Sequence, residues 1–257
     1  MTSRFTALRQ IPDLEVARGT TAGVSVVHKF GEGGDIDAGD GYVDIWDGAV
    51  DVNAAKTYTF STTADIDRIS SSNDGDTQDI EVQGLDANWE LTIQTKTLTG
   101  QTPVALDTAL IRVFRMKNMG TTDLVGDCYC FVNGDTTGGI PDTNADIRAI
   151  INDGNNQTLM AIYTIPAGKT GYLYQWWASA DRAVATVYNV HIQARPFGGV
   201  FQLKNSASLN SAGTGYIIHP HKIPDGYAEK TDIKIQSDSS ANNGGIAGGF
   251  EIVLVDH

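Results

Sequence analysis

Thiols, cations and long apolar runs are all scarce in this chain. Of 257 residues only two are cysteine, Cys128 and Cys130, one residue apart. A disulfide at that spacing is strained, and two thiols without nearby histidine cannot complete a zinc site. Buried free thiols are the expected outcome, in keeping with folding in a reducing cytoplasm. No stretch reaches the roughly 18 apolar residues of a membrane helix, and the N-terminal MTSRFTALRQIPDLE lacks the apolar core of a secretion signal. Lys and Arg total 18 against 31 Asp and Glu, a formal net charge of −13. Such a surface repels phosphate, so neither nucleic acid nor membrane is an expected partner.

What is present is turn chemistry. Gly, Thr, Ser, Asn and Asp crowd the gaps between short apolar runs, and a hydrophobic content of 41% is ordinary for a folded protein. The runs are strand-like: VSVVHKF from Val24, YVDIWDG, TYTFS (57–61), DIDRIS (65–70), DIEVQGL (79–85), WELTIQTKTL (89–98), ALIRVFRMKN (109–118) and DCYCFVN (127–133). After the glycine-rich stretch Gly134–Asn144, read as the domain linker or a long crossover, the pattern resumes with ADIRAIIND, read as a strand in preference to a short amphipathic helix, which turns at Asp153-Gly154 and returns as NQTLMAIYTI. It continues through GYLYQWWASA, ATVYNVHIQAR, GVFQLKN, GYIIHPH, DIKIQS and FEIVLVD. A strand about every 8–12 residues separated by polar turns is the grammar of an all-β sandwich or barrel. The expected fold is all-β: two tandem, jelly-roll-like β-sandwich domains at 23–138 and 145–257, behind an N-terminal arm at 1–22. The segment Asp65–Asp86 reads as a hairpin with a Ser/Asn/Asp/Gly turn, and Asp232–Asp256 as a degenerate second copy of it.

No constellation of residues calls for catalysis. Glu32, Asp35, Asp37, Asp40, Asp44, Asp47 and Asp51 crowd together but lack the ligand order of a calcium loop, so they read as a solvated acidic loop. Asn73, Asp74 and Asp76 read as side chains capping their own turn. His219, His221 and Asp225 have no nucleophile in a strained elbow and no third metal ligand, and read as polar loop residues. GGIAGG (244–249) lacks the Lys-Ser/Thr of a phosphate loop. No catalytic, cofactor or metal residue is assigned. The tandem Trp176-Trp177 is more informative, because neighbours on a strand face opposite ways. One indole enters the core and the other faces outward, where Tyr172 and Tyr174 extend an aromatic stripe suited to a protein partner or a sugar ring. Arg4 and Arg9 make the arm mildly basic against an acidic body, which suits contact with a partner.

Three segments resemble a known family: YVDIWDGAVDVNAAKTYTF, DRISSSNDGDTQDIEVQGLDANWE with LTGQTPV, and NQTLMAIYTIPAGKTGYL. Together they are similar to virion structural proteins of tailed bacteriophages, on the marks Ile45-Trp46-Asp47, Ile69 to Ser72 and Gly84-Leu85-Asp86. The resemblance spans about residues 24–205. It implies a multicopy particle component that is not an enzyme and carries no cofactor, located in the virion and assembled in the host cytoplasm. A compact acidic β protein without coiled-coil heptads suits a capsid decoration (cement) protein. Its expected partners are the major capsid protein and copies of itself, most simply as a homotrimer on local three-fold axes. The alternative is a tail- or connector-associated protein with a receptor- or glycan-binding role.

Overall fold

The computed structural model describes residues 12–49, 51, 54–180, 185–213 and 215–257. Arg4 and Arg9 lie outside them. A short helix, α1 (Pro12–Ala17), is followed by β1 (Val24–Ile36), β2 (Val43–Asp44), β3 (Ile66–Ser71), β4 (Asp79–Leu85), β5 (Leu91–Thr97), β6 (Val104–Leu110), β7 (Arg112–Asn118), β8 (Cys128–Val132) and β9 (Thr136–Thr137). Then come β10 (Ile140–Pro141), β11 (Ile147–Ile151), β12 (Ile162–Thr164), β13 (Lys169–Ala180), β14 (Val187–Arg195), β15 (Gln202–Asn210), β16 (Tyr216–Tyr227), β17 (Asp232–Ser237) and β18 (Gly244–Asp256). The chain is an all-β sandwich protein, as its alternating apolar runs require.

The sheet order reveals how the sandwiches are connected. One sheet runs β1-β18-β13-β16 and another β12-β17-β14-β15, with β2 extending the β12 edge of β17. Numbering β1 and β12 to β18 as one to eight, the first sheet reads 1-8-3-6 and the second 2-7-4-5. That is the strand order of an eight-stranded jelly roll. The remaining long strands, all between residues 66 and 151, form a four-stranded sheet β11-β8-β3-β6 and a three-stranded sheet β5-β4-β7. The second sandwich is thus inserted between the first and second strands of the jelly roll.

This corrects the tandem division at 138/145. β1 pairs with β18 from Val24↔Val255 onward, and β8 pairs with β11 across the supposed linker. Gly134–Asn144 is a hairpin tip carrying the β9/β10 ladder inside one sheet. The insertion leaves and rejoins the jelly roll at adjacent points: Asp47 N–H donates to Leu159 O at 2.8 Å, and Ala161 N–H to Ile45 O at 2.8 Å. Gly31 makes this crossing possible, because a Cβ there would sit 2.6 Å from Ile45 O and 2.7 Å from Ala161 N.

Three more local expectations change for one reason, that a polar turn does not reveal whether it stays in its sheet. Asp65–Asp86 is an arch and not a hairpin, since β3 pairs with β6 and β8 while β4 pairs with β5 and β7. Its supposed copy is also an arch, with β17 and β18 in opposite sheets. β11 and β12, expected as a hairpin, belong to different sandwiches. The first arch is held by Asp76, which accepts from Ser71 Oγ at 2.6 Å and from the N–H groups of Val125 and Gly126 at 3.0 Å each. Asn73 Oδ1 caps Gly75 N–H as the turn composition predicts. TYTFS forms no strand. Tyr58 and Phe60 line the passage between the sandwiches, edge-on to each other at 4.8 Å, with Trp46 edge-on to Tyr58 at 5.1 Å.

One contiguous cluster of buried side chains runs through both sandwiches. Ile66, Ile69, Ile80, Tyr129 and Phe131 fill the inserted one; Leu173, Trp176, Tyr188, Ile192, Phe250 and Ile252 fill the jelly roll. Cys128 and Cys130 are free and buried on β8. Burial pushes the Cys130 thiol up to about 12 and raises Cys128 as well, so neither is a ready nucleophile.

Candidate functional site

Two features stand out: an apolar sheet face on the jelly roll and a charged seam between the sandwiches. The face belongs to the β1-β18-β13-β16 sheet. Within β13 the inward residues Gly171, Leu173, Trp176, Ala178 and Ala180 are buried, while Tyr172 and Tyr174 are 38% and 46% exposed. A β-bulge between Leu173 and Gln175 keeps both tyrosines outward and then turns Trp176 in. The tandem tryptophans therefore divide as their spacing demands. Trp176 is fully buried, and Trp177 lies outside over Gly249, where a Cβ would come within 2.7 Å of its Nε1. Trp177 is laid along the sheet and does not project from it.

Register extends this face. Trp177 stands opposite Ile218, Ser179 opposite Tyr216, and Tyr172 opposite Val253, which in turn faces Val26. Tyr216 and Ile218 are 65% and 60% exposed on β16, whose outer edge has no partner strand among the described residues. Pro220, Pro224 and Lys222 along that edge discourage unguided strand addition. At the far side, α1 and the face enclose a groove of about 590 Å³ lined by Val16, Val24, Val26, Tyr174 and Val253. Of the residues singled out in the sequence, Tyr172, Tyr174 and Trp177 share this face and Trp176 belongs to the core.

No sequence motif marks the seam. Arg112 on β7 reaches Asp232 on β17, with Nε donating to Oδ1 at 2.8 Å and Nη2 to Oδ2 at 3.1 Å. Arg195 on β14 donates to the same Oδ2 through Nε at 3.0 Å and Nη2 at 2.5 Å, and Thr164 Oγ1 donates to Oδ1 at 2.6 Å. Arg112 Nη1 donates to the carbonyls of Ser61 and Ile111. The guanidinium of Arg112 lies 5.1 Å from the Phe60 ring and 4.9 Å from Trp89, and that of Arg195 lies 4.7 Å from both Phe60 and Phe201. The ion cluster thus ties one sandwich to the other, with aromatic rings excluding water. The sequence signal that could have pointed here is Trp89 itself. It occupies a left-handed position (φ 66°) in the Asp86–Glu90 turn, where Gly or Asn is usual.

The acidic run of the N-terminal third is only partly a solvated loop. Asp40 binds Lys56 at 2.7 Å, which holds its carboxyl below the usual range. Asp44 and Asp47 are buried. Asp44 lies 2.6 Å from Lys234 and accepts from Tyr58 N–H, yet burial outweighs both and raises its carboxyl. Asp47 accepts from Leu159 N–H at 2.6 Å. Its carboxyl is raised well above 3.8, first by burial and then by Glu32 and Asp127. The folded state therefore retains a proton on Asp47 in a window above pH 3.8 where the unfolded chain has released it, and stability falls as pH rises through that window. Asp47→Asn is expected to gain stability over the parent as pH rises from 4 towards neutrality, with the gain vanishing at the acid end. Urea midpoints of both proteins across pH check this; a difference independent of pH would refute it.

His219 and His221 lie on the strand β16, not in a loop. His219 meets Asn205 Nδ2 at 3.0 Å, and burial lowers the pKa of His221 despite Asp225 at 3.8 Å. Among the described residues no group of three or more His, Cys, Asp or Glu is placed to hold a metal ion.

No protein-family model and no curated protein matches the chain. Among solved structures, it is similar to the VP2 subviral particle of infectious bursal disease virus at 10% identity, covering 96% of this chain and 78% of that one, with a TM-score of 0.26. A point mutant of that virus's VP2 in derived T=1 particles gives 10% identity, 94% and 78% coverage and a TM-score of 0.18. At these scores the likeness carries no weight for fold or function.

Proposed function

We propose that this protein is a structural component of a virus particle that coats the head, binding the major capsid protein and copies of itself as a trimer. The observation that carries this reading is the outer face of the β1-β18-β13-β16 sheet. Tyr172, Tyr174, Tyr216 and Ile218 are all exposed on one side of a rigid sheet, and contiguous exposed apolar surface marks a protein contact. The jelly roll agrees with it, since capsid proteins commonly use this architecture, although lectins and other proteins do too. The sequence resemblance to tailed-phage virion proteins supports the same setting. In this reading the chain catalyses no reaction and needs no cofactor, and its net charge of −13 keeps it off the packaged genome.

Quantitative mass spectrometry of purified particles tests it. A coat protein repeats with the shell symmetry, so copies on the order of hundreds per particle are expected. A count of roughly a dozen would place the chain at the tail or connector and overturn the coat reading.

A further inference from the structure

We infer that the cleft over the charged seam is a binding site for an acidic sugar, a carboxylate carried on a saturated ring. This rests on the glycan-recognition alternative and not on the coat reading, and it adds a site and a ligand class. The cleft is about 310 Å³, lined by Phe60, Trp89, Arg112, Arg195, Phe197 and Asp232. That is the lower end of the size range of small-ligand pockets, room for a single ring and too little for a folded partner.

Charge sets the sign of the ligand. Two guanidiniums share the single carboxylate of Asp232, which already accepts from both of them and from Thr164. Nη1 of Arg195 has no hydrogen-bond partner among the described residues, although that side chain lines the cleft. Lys230 Nζ adds a further cation 5.5 Å from the Phe197 ring. The nearby Asp86 is already engaged, its Oδ1 accepting from the N–H groups of Asn88 and Glu90. An unspent guanidinium edge beside aromatic walls is the usual recognition element for a carboxylate.

The walls set the shape. Phe197 is 66% exposed and meets Trp89 edge-to-face, with centroids 5.5 Å apart and planes at 82°. Trp89 holds this place at a backbone cost: φ of 66° is strained for a bulky side chain, and Gly would fill the turn without strain. The turn is anchored on the jelly roll by Ala167 N–H donating to Trp89 O at 2.8 Å. The indole therefore stands at a fixed angle to a ring open to solvent. The exposed Phe197 ring, held at this angle by the indole, suits the C–H face of a sugar ring, with the carboxylate directed to Arg195.

The test uses the full chain with D-glucuronate, D-glucose and a dipeptide with a free C-terminal carboxylate as probes, followed by calorimetry and by the tryptophan indole N–H resonances. Glucuronate should bind and shift the resonance that disappears in Trp89→Phe, while glucose binds at least about tenfold more weakly. Phe197→Ala, which removes an exposed ring, and Arg195→Lys, which keeps the charge but loses the planar fork, should each weaken glucuronate about tenfold with the melting temperature nearly unchanged for Phe197→Ala. Equal binding of glucose and glucuronate, tighter binding of the dipeptide, no binding, or binding unaffected by Phe197→Ala would each overturn the inference. None of these results bears on the particle copy number, so the two proposals fail separately.

Discussion

Alanine in place of Asp232 is expected to destabilise the fold by about 3–5 kcal/mol, the range for removing one partner of a buried ion pair. Asp232 and Arg112 expose only 4% and 5% of their side chains, so the lost carboxylate leaves a largely desolvated guanidinium. Arg112 would keep the carbonyls of Ser61 and Ile111 but lose both of its charged contacts. Thr164 and Arg195 would lose a partner at the same time. The loss follows from an unpaired buried charge and not from the pair's intrinsic strength, and this gives a second expectation. Replacing Arg112 with Met together with Asp232 with Leu should cost much less than Asp232→Ala alone, because no charge is stranded. Equilibrium urea unfolding of the three proteins measures both, and a loss below about 1 kcal/mol for Asp232→Ala would show that the seam does not hold the sandwiches together.

The tandem tryptophans offer the second large effect. Trp176→Ala should cost about 3–5 kcal/mol, since its side chain is fully buried between the two jelly-roll sheets and its removal leaves a cavity. Trp177→Ala should cost only about 1–2 kcal/mol, for an indole covered on one side by Gly249 and open on the other. Trp176 Nε1 has no hydrogen-bond partner among the described residues, so Trp176→Phe loses volume but no hydrogen bond and should retain most of the stability. The three denaturation midpoints, read together, decide the orientation. If Trp177→Ala proved the more damaging substitution, the register of β13 against β18 would be wrong by one residue.

Local structure was legible where one residue's neighbours in sequence are also its neighbours in space. The alternation in ATVYNVHIQAR predicts a half-buried strand, and β14 is one, with Tyr188, Val190 and Ile192 inside. The same logic predicts opposite faces for Trp176 and Trp177. It says less at Val43 to Trp46, where alternation puts Asp44 and Trp46 on one face and Val43 and Ile45 on the other without telling which face is buried. All four side chains are buried there, because the strand runs between two sandwiches. Strand grammar also cannot report partners. A turn that closes a hairpin and a turn that carries the chain to the opposite sheet use the same Ser, Asn, Asp and Gly residues. Hence Asp65–Asp86 has the sequence of a hairpin, and a nested order has the sequence of a tandem one. The seam was hidden for a related reason. Arg112 and Asp232 are 120 positions apart, and neither lies in a recognisable motif. Only Trp89, in a turn position that normally takes glycine, carried a trace of it.

The nesting of one sandwich inside another sets an order of events during synthesis. Of the described strands β1 emerges first and its partner β18 last, and the pairing of Val24 with Val255 spans nearly the whole described chain. The strands of the inserted sandwich all lie between residues 66 and 151, so their contacts are complete before β12 to β18 have been made. Units finished early on the ribosome fold early, and contacts between distant segments form slowly. Until β18 emerges, β1 waits with an unpaired edge beside a folded neighbour, and the jelly roll closes around a module that is already built.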